Sequence, residues 1–132
     1  MPEYNPEHLH QCVRNLFYQS KVEFHTVYKV QQTLTEAILK DQDYSARVGA
    51  YWNNPDDCFM GTLFRVFRLA GKDRCLIELI VWVKDTSYEC SRVVGSFNSA
   101  DELDAWLMSE KNEEKCIGIV DHLLKEIYID LR

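Results

Sequence analysis

The residues of this sequence that most resemble a catalytic pair are a thiol and an imidazole spaced one helical turn apart. His8 and Cys12 are four residues apart in a segment with helical periodicity, so their side chains can meet on one helix face. A thiol activated by histidine is a nucleophile, but a working set also needs a group that orients the imidazole. The sequence shows no such group, and Cys12 lies on the apolar stripe of the segment. We therefore predict a buried structural thiol.

The cysteines and histidines also predict no metal site and no cofactor. The five cysteines are odd in number, widely spaced and free of any C-x-x-C motif, which favours reduced thiols over a disulfide framework. His8 and His10 are two residues apart, and on a helix they point about 200° away from each other. They cannot share a metal ion there. The cysteines are Cys12, Cys58, Cys75, Cys90 and Cys116.

The segment at residues 53–57, Asn-Asn-Pro-Asp-Asp, carries several oxygen ligands that could hold a hard cation. It lacks the alternating acidic ligands of a dedicated calcium loop. The same residue types are those that form turns. We interpret the segment as a chain break between a helical half and a strand-rich half.

Arginines alternate with aromatic residues in the strand-rich half. Arg65 and Arg68 flank Phe67, and further arginines follow at 74 and 92. Such a mixture is used to bind single-stranded nucleic acid, but strand alternation places Arg65 and Arg68 on opposite faces. We predict cross-strand ion pairs here, and we keep Arg68 and Arg92 as candidates for holding a small anion.

Charge is unevenly distributed along the chain. The net charge is −6, and the segment after residue 99 holds nine acidic and four basic side chains. Nucleic-acid binding needs clustered lysine and arginine, so we expect no nucleic-acid partner. An acidic surface suits a basic protein partner. The candidate partner surface comprises Ile80, Trp82, Asp101, Asp104, Trp106 and Glu113.

The N-terminal half is predicted to be helical. Asn5-Pro6-Glu7 is a helix start, and apolar spacing predicts a helix to about Tyr18. Residues 21–30 fit both a helix and an alternating strand, and the helix is slightly favoured. Residues 34–40 fit a helix in either case. The spacing of Tyr44, Val48 and Tyr51 predicts a further helix over residues 44–52.

Three strands are predicted next, over residues 62–69, 74–84 and 88–97. The turns between them are short, which is typical of an antiparallel meander. The second strand has one wholly apolar face, from Cys75 to Val83. Its other face is mixed, with Leu76, Glu78 and Trp82. We expect helices on one face and only partial cover on the other, and the pattern leaves open which face is covered.

Two helices are predicted to close the chain, joined by a loop around residues 111–112. Ser99 and Glu102 fit a capping box, and a broad apolar stripe follows from Cys116 to Leu131. The expected fold is therefore α+β, with one domain over residues 1–132. A three-stranded, or four-stranded, antiparallel meander would be packed by N-terminal and C-terminal helices.

No short catalytic or nucleotide-binding motif occurs, so we lean away from an enzyme. The main hypothesis is an acidic protein-interaction module of the adaptor, inhibitor or antitoxin kind, with either a basic protein or a second copy of itself as partner. The alternative is a small-molecule pocket between sheet and helices. No secretory signal and no membrane span are recognised, so we expect a cytoplasmic protein without membrane contact.

Overall fold

The computed structural model describes residues 6–25, 30–52, 60–83 and 87–130, and it is an α+β fold. Four helices accompany a four-stranded antiparallel sheet in the order β1-β2-β3-β4. The elements are α1 (Pro6–His25), α2 (Val30–Leu39), β1 (Tyr44–Trp52), β2 (Met60–Arg68), β3 (Cys75–Val83), β4 (Glu89–Phe97), α3 (Ala100–Met108) and α4 (Glu110–Asp130). The three predicted strands match β2 to β4 within two residues at each end.

The sheet has one face packed on helices and one face free of them among the described elements. Side chains along β3 alternate between buried and half-buried from end to end. On the packed face, Phe64 contacts Phe17 of α1 and Trp106 of α3, with ring centroids 5.2 and 5.6 Å apart. Since α1 and α3 meet the same residue, both lie on one side of the sheet. The predicted division of the two β3 faces is confirmed.

Residues 44–52 form strand β1, so the predicted helix there is wrong. Val48 is buried on the packed face opposite Phe64, as alternation requires. Beyond it the register shifts by one residue, because Gly49 forms a bulge with φ +63°. The extra residue breaks the two-residue period and leaves Val48 and Tyr51 at a helix-like spacing.

The fourth strand is therefore β1 and not the ambiguous segment at residues 21–30. Residues 21–25 belong to α1, and Val30 begins α2. Residues 26–29 lie outside the described residues. The predicted loop near residue 111 is also absent, since α4 begins at Glu110.

The bulge in β1 is built against α1. The Ser20 hydroxyl donates to the Leu16 carbonyl at 2.7 Å and to the Val48 carbonyl at 3.2 Å. The Gly49 amide donates to the Glu23 carboxylate, which is only 8% exposed in the folded chain. These contacts connect the first helix to the first strand with buried polar groups.

The N-cap predicted at Ser99 is confirmed, while Glu102 reaches back one residue beyond it, to Asn98. The Ser99 hydroxyl accepts from the Glu102 amide at 3.2 Å, and the Glu102 carboxylate accepts from the Asn98 amide at 2.5 Å. The cap orients α3 so that Trp106 stacks on Phe17, with ring centroids 5.5 Å apart. Trp106 is thereby placed between α1 and the packed face of the sheet.

Candidate interaction surface

A half-buried and mainly apolar surface lies on the side of the sheet opposite the helices, and we call this surface the open face. Its members lie on the two central strands and are opposed in pairs by the β2–β3 register. They are Leu63, Arg65 and Phe67 on β2 with Leu76, Glu78, Ile80 and Trp82 on β3. An apolar sheet surface that keeps partial contact with water is a typical feature of interaction sites.

One ion pair crosses the middle of the open face. The Arg65 guanidinium lies 3.0 Å from the Glu78 carboxylate, and the two side chains are 39% and 17% exposed. The same guanidinium lies over the Phe67 ring, 4.4 Å from its centroid. These contacts confirm the predicted cross-strand pairing for Arg65. The pair leaves the centre of the face without net charge.

Trp82 lies flat across the neighbouring strand. A β-carbon added to Gly61 would come within 2.3 Å of the indole ring. The absence of a side chain at Gly61 therefore lets the indole cover β2 closely. Trp82 forms one end of the open face and stays partly exposed.

The open face is bordered by polar edge strands. Ser45 and Arg47 are exposed on β1, and Glu89 and Ser91 are exposed on β4. Among the described residues of this margin, Ala50 and Val93 are apolar, and Val93 is 55% exposed. An apolar centre within a polar margin is the usual composition of a protein interface.

The structure separates the residues that the sequence placed on one candidate surface. Ile80 and Trp82 lie on the open face, whereas Asp101 and Asp104 lie on α3 at the other side of the sheet. Glu113 lies on α4, and Trp106 is packed inward. The acidic helices and the apolar patch are thus two different surfaces.

The two anion candidates have different surroundings. Arg68 is 6% exposed, and its guanidinium donates to the carbonyls of Ala37 at 3.3 Å and Gln42 at 2.5 Å. It also pairs with the Asp41 carboxylate at 2.8 Å and reaches the Lys72 carbonyl at 3.3 Å. Asp41 in turn accepts from the Gly71 amide, and these two bonds hold the pKa of the Asp41 carboxyl below its usual value.

Arg92 lines a surface groove between β4 and α4. The groove is also lined by Lys115, Gly118, Ile119 and His122. The Lys115 ammonium donates to the Val94 carbonyl at 2.9 Å. A second groove lies at the β2–β3 turn, beside Phe67, Leu69 and Leu76.

Three of the four described thiols are buried in the core. Cys12, Cys75 and Cys116 are buried, and Cys90 is partly exposed. The Cys12 sulfur lies 3.8 Å from the Thr62 hydroxyl, while the side chain of His8 lies outside the described residues. Burial raises the pKa of the Cys116 thiol to about 12. Such a thiol is protonated and unreactive near neutral pH.

Within the part of the chain that the structure describes, no group of three or more His, Cys, Asp or Glu side chains could hold a metal ion. In the same residues, no helix is long and apolar enough to span a bilayer. The segment at residues 53–57, interpreted above as a chain break with possible cation ligands, lies outside the described residues.

The buried Cys116 thiol predicts a loss of stability in alkali. Its pKa is higher in the folded than in the unfolded chain, so its contribution is complete below pH 9 and decreases as the pH rises toward 12. We expect this thiol to lower the free energy of unfolding by about 1.4 kcal/mol between pH 8 and pH 10. Urea titrations of the wild type and of Cys116→Ala measure it. The variant should lose less stability over that interval. Equal losses would contradict the prediction, and Cys90→Ala serves as the partly exposed control.

The sequence interpretation missed half of the open face. Leu63 and Phe67 belong to it because the β2–β3 register sets Phe67 opposite Leu76 and Leu63 opposite Ile80. The short turn between the strands could have revealed this, since a hairpin of known loop length fixes which residues oppose each other. The geometry gives a continuous apolar surface crossed by one balanced ion pair.

Comparison with known proteins returned no relative. No family model, no curated protein and no solved structure matches this chain. The function must therefore be argued from the chain's own surfaces.

Proposed function

We propose that this chain is a protein-interaction domain whose contact surface is the open face of the sheet. The proposal rests on the mainly apolar surface of β2 and β3. Side chains along β3 point alternately to the buried face and to this surface, and no described helix covers this surface. Burying Leu63, Phe67, Leu76 and Ile80 against a partner would remove apolar surface from water, at about 25 cal/mol for each Å².

The chemistry of the surface supports binding over catalysis. Its polar groups are an arginine and a glutamate already paired with each other, and no described thiol or histidine lies on it. Trp82 supplies the rigid aromatic surface that is common among binding hot spots. The acidic side chains of α3 and α4 lie on the other side of the sheet, so they would remain outside a contact made through the open face.

The test is gentle purification of the tagged chain from its own source cells, followed by native mass spectrometry. We expect a stoichiometric added chain on the wild type, and we expect Leu63→Thr/Ile80→Thr to lose it. Leu39→Thr/Met108→Thr is the matched control, because both residues are exposed on helices away from the open face. A bare monomer, or a partner that ignores the open-face variant, would contradict the proposal.

A small anionic ligand is the second candidate, and the groove holding Arg92, Lys115 and His122 favours it. The same spectra distinguish the two. An added mass of hundreds of daltons that Arg92→Ala removes would support the ligand, whereas an added protein chain would support the interaction domain.

A further inference from the structure

We propose that the partner of the open face is a second copy of this chain, packed face to face about a two-fold axis parallel to β2 and β3. This inference rests on the proposed function, since it names the partner of that surface. The open face is self-complementary in both apolar and charged positions, and this property selects one orientation of the two copies.

The symmetry decides which residues meet. A two-fold axis that runs along the strands, midway between β2 and β3, exchanges the two strands and preserves the position along them. Each β2 residue then faces the residue that opposes it in the β2–β3 register, but on the other copy. Packed sheets keep their strands within about 30° of each other, so an aligned arrangement is an ordinary one.

The apolar positions match under this operation. Phe67 opposes Leu76 in the register, so it would face Leu76 of the second copy. Leu63 would likewise face Ile80 of the second copy. Both contacts occur twice, once on each side of the axis. Together they form a continuous apolar layer between the sheets.

The charges match as well. Arg65 opposes Glu78 in the register and would face Glu78 of the second copy. The two pairs then form a ring in which positive and negative groups alternate. A two-fold axis at right angles to the strands and level with this pair would instead set Arg65 against Arg65 and Glu78 against Glu78. Like charges in contact oppose association, so the parallel axis is favoured.

The available area is sufficient for a dimer. Four strands of nine residues span about 30 Å by about 19 Å. Such a face buries about 600 Å² on each copy, or about 1,200 Å² in total, which is the lower end of stable interfaces. The exposed polar residues of β1 and β4 would form the margin.

The experiment is sedimentation velocity of the purified full chain at about 0.15 M salt, over a concentration series up to about 100 µM. We expect the wild type to reach twice the mass of the chain. Arg65→Glu alone and Glu78→Arg alone each set like charges across the axis. Each variant should therefore raise the dissociation constant of the dimer at least tenfold. The double charge swap, Arg65→Glu/Glu78→Arg, restores opposite charges and should dimerise again.

Mixing provides a control for misfolding. An equimolar mixture of Arg65→Glu and Glu78→Arg places opposite charges at both positions, so it should form a heterodimer that neither variant forms alone. Arg14→Glu on α1 and Glu114→Arg on α4 are the matched charge controls, because both side chains are exposed away from the open face. Both controls should dimerise like the wild type.

The outcomes separate this inference from the proposed function. A monomeric wild type, or single variants that dimerise as well as the wild type, would overturn the inference. If that monomer still captures another protein through Leu63 and Ile80, the interaction function stands without the dimer. If it captures none, both proposals fail.

Discussion

Replacing Gly49 with alanine is expected to lower the free energy of unfolding by at least about 3 kcal/mol. The residue has φ +63°, a conformation that costs an L-residue about 1–2 kcal/mol. An added β-carbon would also lie 2.2 Å from the Ser20 hydroxyl and 2.9 Å from the Ser20 amide nitrogen. Relieving that overlap requires β1 to move away from α1, which weakens the buried bonds to Val48 and Glu23.

Two other glycines of this chain serve as controls. Gly71 has φ +80° with nothing within 4 Å of an added β-carbon, so Gly71→Ala should cost only the conformational energy of about 1–2 kcal/mol. Gly118 lies in α4 with open space around it, and Gly118→Ala should stabilise the protein by about 0.5–1 kcal/mol. Urea unfolding of the three variants gives the comparison. A Gly49→Ala variant as stable as Gly71→Ala would disprove the overlap with α1.

Replacing Arg68 with methionine should destabilise the protein by about 2–4 kcal/mol. Methionine keeps the apolar stem but removes the donors that reach Ala37, Gln42 and Lys72. Carbonyls left without a donor in a buried position cost about 1–3 kcal/mol each, and water can repair those that become exposed. Urea unfolding measures the loss.

A second measurement shows that the guanidinium itself is responsible. Asp41 accepts from Gly71 and from Arg68, so its pKa should rise in Arg68→Met toward the usual value, as followed by an NMR titration. Arg74→Met is the matched control, because Arg74 is exposed with one long contact to Ser96. It should change stability by less than about 0.5 kcal/mol. A fixed Asp41 pKa in Arg68→Met would refute the assigned contact.

Local sequence patterns were sufficient to predict much of the fold. The alternation along β3 predicted that helices cover one face of the sheet and leave the other partly open, and Ser99 with Glu102 predicted the start of α3. Both depend on residues within a few positions of each other. A hydrophobic period or a helix cap can be recognised in the sequence because the interactions that cause it are local.

Other features depended on distant residues. The bulge at Gly49 shifts the period within β1, and its stabilising partners lie on α1, more than twenty residues earlier. Arg68 also finds Ala37 and Gln42 across a long separation. No single sequence displays such pairs. The open face emerged only once the strand register set β2 beside β3.

Two close contacts between a glycine and a tryptophan limit which substitutions this sheet can accept. A β-carbon added to Gly61 would lie 2.3 Å from the Trp82 indole on one face of the sheet. A β-carbon added to Gly95 would lie 2.4 Å from the Trp106 indole on the other face. In each case the small residue and the large one share a single volume. A descendant sequence that gains a side chain at 61 must lose bulk at 82, and the same holds for 95 and 106. We expect these positions to covary as two independent pairs in any lineage that keeps this sheet.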